Sequence, residues 1–69
     1  MLRADNAKMK WDSVKKQWHV EIQVGAEVIK RPLLNYLEAT ADETLRARAV
    51  EIAKDDGYDL DAARVSITR

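Results

Sequence analysis

Two hydrophobic periods divide the chain. Between residues 7 and 33 apolar and polar positions alternate, and between 41 and 56 apolar positions recur every three or four residues. The first is the period of a half-buried strand and the second that of an amphipathic helix. Ala7, Met9 and Trp11 share one face of a first strand, over about 7–12. Trp18, Val20, Ile22 and Val24 share a face of a second, over 17–24, with Gln17, His19, Glu21 and Gln23 on the other. A third strand runs over about 27–33.

Side-chain pairing sets the registers. Gly25-Ala26 suits a two-residue type II′ turn. It places Val24 opposite Glu27, Ile22 opposite Ile29, Glu21 opposite Lys30 and Trp18 opposite Leu33. A three-residue loop would set Ile22 against Lys30. The two-residue choice turns Arg31 inward opposite Val20, which a bulge near Pro32 would relieve. In the first hairpin, a loop over Ser13–Lys16 pairs Asp12 with Gln17, Trp11 with Trp18, Met9 with Val20 and Lys8 with Glu21. Strand 17–24 is then central, with Glu21 flanked by Lys8 and Lys30. Pro32 lacks an N–H, which places strand 27–33 on an edge.

The helix is expected over 41–56. Thr40 and Glu43 have the spacing of a capping box, and Gly57 is the stop. Ala41, Leu45, Ala49, Ile52 and Ala53 form its apolar stripe. Val50 falls outside the stripe, at the core rim or a contact with another chain. Asp55 and Asp56 oppose the helix dipole, so the last turn is expected to fray. Leu33–Glu38 reads as a loop or as one helical turn begun by Pro32. After the helix comes a turn over Tyr58–Asp61 with Leu60 tucked in. Val65 and Ile67 then point inward from a short strand over 64–68. Residues 1–6 have no periodicity and read as a flexible tail before a single small domain over 7–69. The order is β-β-β-α-β. The fold class is α+β, a two-layer sandwich with the helix on one sheet face and sheet order 3-2-1-4.

Composition narrows the function. A chain of 69 residues buries only about 60% of its unfolded surface, and with no cysteine it has no disulfide or thiolate metal site to add stability. Self-association is a common substitute. No apolar run approaches a membrane span, and residues 1–10 carry no secretory h-region, so the cytoplasm is expected. Net charge is zero, but residues 1–31 hold seven basic side chains against four acids. That half is +3 and the remainder −3, an asymmetry that a solvated surface, a polyanion site or self-association would each explain.

Chemistry is mostly excluded. His19 is the one histidine and lacks a partner for general-base work or metal binding. With Gly25 and Gly57 as the only glycines there is no phosphate cradle. The acidic stretch Asp55–Asp61 fails as a calcium loop, because its twelfth position is Ser66. Trp11 and Trp18 read as core, not as a stacking platform. No enzyme activity, cofactor or metal is expected.

Two binding surfaces remain. Leu34, Tyr36, Leu37 and Val50 would form an apolar patch for another protein or a second copy, unless Leu34, Tyr36 and Leu37 cap the chain's own core. Lys8, Lys10, His19 and Lys30 lie on the open sheet face, where nucleic acid is the alternative partner. The β-β-β-α order resembles the small arm-site DNA-binding domains of phage-type integrases. The resemblance is one of topology, and it implies DNA reading through the sheet. The last strand is additional, and Glu21 in mid-face would repel phosphate. The leading expectation is a non-enzymatic, self-associating (homodimeric) protein-binding module.

Overall fold

The computed structural model describes residues 2–69, leaving Met1 outside. The elements are β1 (Leu2–Arg3), β2 (Asn6–Asp12), β3 (Gln17–Val24), β4 (Glu27–Leu33), α1 (Asp42–Asp55), β5 (Tyr58–Asp59), a 3-10 turn (Ala62–Arg64) and β6 (Val65–Thr68). The fold is α+β. A four-stranded sheet of order β4-β3-β2-β6 carries α1 on one face, and β6 runs parallel to β2. This is the 3-2-1-4 order expected, with the proline strand at an edge.

Both hairpins take the registers that side-chain pairing selects. Trp11 faces Trp18 and Met9 faces Val20 across β2 and β3. Ile22 faces Ile29, and Trp18 faces Leu33, across β3 and β4. Gly25 has φ +59 while Ala26 stays on the negative side, the sign pattern of a type II′ turn. Arg31 does lie opposite Val20, and pairing continues through Pro32 and Leu33 without a bulge. The long side chain instead leaves the core over the sheet edge, and its Nη2 meets Asp56 Oδ1 at 3.3 Å. A guanidinium on a flexible stem can snorkel where a shorter charge could not. The same contact places a cation at the C-terminal end of α1, so Asp56 is partnered despite its unfavourable position on the helix dipole.

The helix buries Leu45, Ala49, Ile52 and Ala53 against Met9, Trp18, Val20, Ile22 and Leu33 of the sheet. Its start differs from the capping-box reading. The N-cap is Ala41, which is exposed and offers no side-chain cap. The Thr40 hydroxyl donates to the Leu37 carbonyl (2.6 Å), a local alternative open to any threonine at a loop–helix junction. The stop is as expected: Gly57 takes φ +90, and its N–H donates to the Lys54 carbonyl (3.0 Å).

The tail reading of residues 1–6 is corrected for 2–6. Leu2 and Arg3 pair in parallel with Tyr58 and Asp59, and Asn6 already belongs to β2. Ala4 is fully buried, and its N–H donates to the Asp59 carbonyl (2.9 Å). The Asp5 carboxylate accepts from the Gly25 N–H (2.9 Å). These bonds reach segments 20 or more residues away, which local periodicity does not register. Leu60 is buried as expected, within the core that also holds Ala4 and Ala7.

Because Ala4 is part of the core, Ala4→Asp will destabilise the fold by about 3 kcal/mol or more, the cost of an unpaired buried charge. Asp5→Ala will cost about 1 kcal/mol for one lost hydrogen bond. Urea denaturation of both variants measures this; unchanged midpoints would mean that the segment is a loose tail after all.

Candidate contact surfaces

The loop from Leu34 to Ala41 crosses from β4 to α1 without a helical turn. Asn35 adopts φ +68, a left-handed conformation that asparagine tolerates, and this reverses the chain beside the end of β4. The buried indole of Trp18 then fixes the loop, with Nε1 donating to the Leu37 carbonyl at 2.8 Å. With its backbone held inward, Leu37 has its side chain outside, 77% exposed. Leu34 is 64% exposed. Tyr36 and Val50 are half-buried and pack against the core. The four residues named from the sequence therefore divide: Leu34 and Leu37 are free surface, whereas Tyr36 and Val50 serve the chain's own interior.

Arg69 completes this corner and carried no signal in the sequence. Its guanidinium lies 5.3 Å from the centroid of the Trp18 ring, a cation–π geometry. It donates to the carbonyls of Glu38 and Thr40 (the latter at 2.9 Å) and pairs with Asp42. One side chain thus ties the end of the chain to the loop and to the first turn of α1. A basic residue outside any element is silent to periodicity, and only the three-dimensional corner gives it a role.

The open sheet face holds the second set. Lys10 faces His19, and Lys8 faces Glu21, which in turn faces Lys30. Glu21 Oε2 accepts from Lys10 Nζ at 2.8 Å and lies 3.8 Å from His19 Nε2. The expected flanking by Lys8 and Lys30 holds in register, but the ion pair forms diagonally, with Lys10. Glu21 is pulled below its ordinary pKa first by the Lys10 hydrogen bond, and further by the charges of Lys10, Lys30 and His19. Part of the basic set is therefore neutralised within the face. Beside it, Asp12, Lys15, Gln17, His19, Lys30, Arg31 and Pro32 line an open groove of about 320 Å³. The Asp12 carboxylate is held down in pKa by the Lys15 and Val14 backbone N–H groups, which it accepts at 3.1 and 3.0 Å.

Trp11 and Trp18 meet edge to face, 5.5 Å between centroids. Trp18 is fully buried and Trp11 packs half-buried against the core, so neither offers an open stacking platform. Among the described residues no three His, Cys, Asp or Glu side chains gather as a metal site would require. No helix there is long and apolar enough to cross a membrane. No family model, no curated protein and no solved structure matches this chain.

Glu21 sets a pH dependence. Its folded pKa lies below the ordinary 4.5, so the folded chain binds fewer protons there than the unfolded one. Its contribution to stability is present above 4.5 and is lost as pH falls through the folded value. Glu21→Gln will be less stable than the parent at pH 7, and the two will converge well below 4.5. Thermal melts across that range measure the gap; a constant gap would mean that the Lys10 pair is not its source.

Proposed function

We propose that this chain is a small non-enzymatic binding module that acts by protein–protein contact and associates with itself. The observation that carries this reading is the exposure of Leu34 and Leu37 on a loop whose backbone is pinned. Two large apolar side chains held out by an anchored loop form a surface suited to burial by a partner. The loop continues directly from β4, an edge strand, and an unpaired strand edge is itself a template for another chain. A 69-residue chain without disulfides gains stability from such an interface.

A second reading is nucleic-acid binding through the open sheet face. Lys8, Lys10, His19 and Lys30 on one face, next to the groove containing Lys15 and Arg31, favour it. Against it stands the Lys10–Glu21 pair, which removes one cation and places a carboxylate in mid-face.

Leu37→Asp will abolish or weaken association by about tenfold or more, on the scale of one buried leucine lost from an interface, while leaving the thermal melt of the monomer nearly unchanged. Sedimentation velocity and circular dichroism read the two effects. A variant that unfolds would assign Leu37 to the core and remove the patch. Titration with a short duplex DNA at low salt is expected to leave the amide resonances of Lys8, Lys10, His19 and Lys30 in place. Salt-sensitive shifts at those four would instead establish the nucleic-acid reading.

A further inference from the structure

Edge strand β4 presents a defined row of backbone groups. In a two-residue hairpin the residues flanking the turn form a hydrogen-bonded pair, and such pairs then alternate. Glu27, Ile29, Arg31 and Leu33 accordingly turn their N–H and C=O groups towards β3. Val28, Lys30 and Pro32 turn theirs outward. The missing N–H of Pro32 thus falls on the solvent side. Among the described residues, one side-chain hydrogen bond reaches this row, from Arg31 Nη1 to the Lys30 carbonyl (3.0 Å).

We propose that β4 pairs edge to edge with β4 of a second copy, antiparallel about a two-fold axis through Ile29. The result is a continuous eight-stranded sheet, two four-stranded sheets joined at β4, with both helices on the same side. This rests on the self-association reading above and adds the β4 edge to the Leu34 and Leu37 surface.

Charge and shape select the register. Two outward-facing rows can bond only if Val28, Lys30 and Pro32 face one another or the equivalent position at Ala26. Centred on Ile29, Val28 and Lys30 form two hydrogen-bonded pairs related by symmetry. Ile29 meets its own copy, and each Glu27 meets the Arg31 of the other chain. Centring on Lys30 instead would set Lys30 against Lys30, Glu27 against Leu33, and Val28 against the donor-less Pro32. Centring on Val28 would set Glu27 against Ile29 and leave Arg31 opposite Gly25. Opposite charges facing each other across a ladder stabilise it, and like charges oppose it. A two-fold axis repeats each favourable pair.

The layer above β4 also has room for a partner. The inward residues of β3, Trp18, Val20 and Ile22, are fully buried, whereas on β4 only Leu33 is. Ile29 is half-buried, between exposed Glu27 and Arg31. A second Ile29 would cover its open side. The opposite edge is less suited, since β6 has four residues and Arg46 Nε donates to the Val65 carbonyl there (3.4 Å). Arg31 already contacts Asp56, and its guanidinium has donors enough to engage Glu27 of the second copy as well.

The test uses charge reversal and cysteine pairs in a chain that has no cysteine of its own. Glu27→Arg alone and Arg31→Glu alone each place like charges across the axis. Each is expected to weaken dimerisation about tenfold or more in sedimentation velocity. An equimolar mixture is expected to recover the dimer, because every 27–31 pair is again opposite. Under mild oxidation Ile29→Cys is expected to form a disulfide-linked dimer. Val28→Cys and Lys30→Cys are expected to link to each other in a mixture but not to themselves, whose separation exceeds disulfide reach. The cysteine variants decide the matter should Arg31→Glu fail to fold on losing Asp56. An unsubstituted dimer in which Ile29→Cys stays unlinked overturns the β4 pairing and leaves self-association standing. A chain that sediments as a monomer at millimolar concentration overturns both.

Discussion

The indole N–H of Trp18 needs an acceptor. Trp18 is the largest fully buried side chain, and a buried donor without a partner would cost on the order of 1–3 kcal/mol. Its neighbours on the sheet are apolar: Trp11 on one side and Leu33 on the other. The acceptor has to come from outside the sheet, and the Leu37 carbonyl supplies it. That one bond brings the β4–α1 loop over the end of the sheet and sets where α1 begins. It also turns the Leu37 side chain outward. Arg69 then closes the corner from the other side, stacked on the indole and bonded to the loop carbonyls. Leu37 is exposed because the backbone beneath it is committed to Trp18.

The helix follows from small residues. Ala49 and Ala53 on the buried stripe have no bulk to hold α1 off the sheet, and Leu45 and Ile52 fill the space beside them. Ala7 and Met9 of β2 and Trp18, Val20 and Ile22 of β3 are buried in this core. The β4 side is left with a thin cover, which explains why Arg31 can reach Asp56 and why Ile29 is only half-buried. The packing choice that completes the core at one edge therefore leaves the other edge short of neighbours.

What could be read from the sequence was whatever alternation and pairing encode. Both hairpin registers follow from matching side chains across strands, the edge position of Pro32 from its missing N–H, and the place of β6 beside β2 from leaving that edge open. The errors share a cause. Thr40 fits a capping box on spacing alone, yet its hydroxyl has a nearer acceptor at Leu37. Residues 2–5 carry no period because their partners, Tyr58, Asp59, Gln23 and Gly25, are distant in sequence. Arg31 called for a bulge only on the assumption that a side chain on the core face must end in the core. Among the proposed contact residues, hydrophobicity grouped Leu34 and Leu37 with Tyr36 and Val50, and only packing separates them.

Charge is where sequence and fold part most. A solvated surface, a polyanion site or self-association would each explain the +3 and −3 halves, and in the folded chain some of the cations pair with acids of the same chain. Arg31 pairs with Asp56, Arg69 with Asp42 and Lys10 with Glu21. The first joins the basic half of the chain to the acidic half and ties the sheet to the end of α1, whereas the other two pairs each lie within one half. What remains free on the open face is Lys8 and Lys30 on either side of a carboxylate already engaged. Such a face holds a phosphate backbone poorly, because each phosphate contact depends on an uncompensated cation. The edge of β4 has the opposite character. Glu27 and Arg31 stand exposed at positions equally spaced about Ile29, and this spacing has no use within the chain, since Glu27 has no ion pair among the described residues. In the proposed dimer a two-fold axis through Ile29 gives Glu27 a partner.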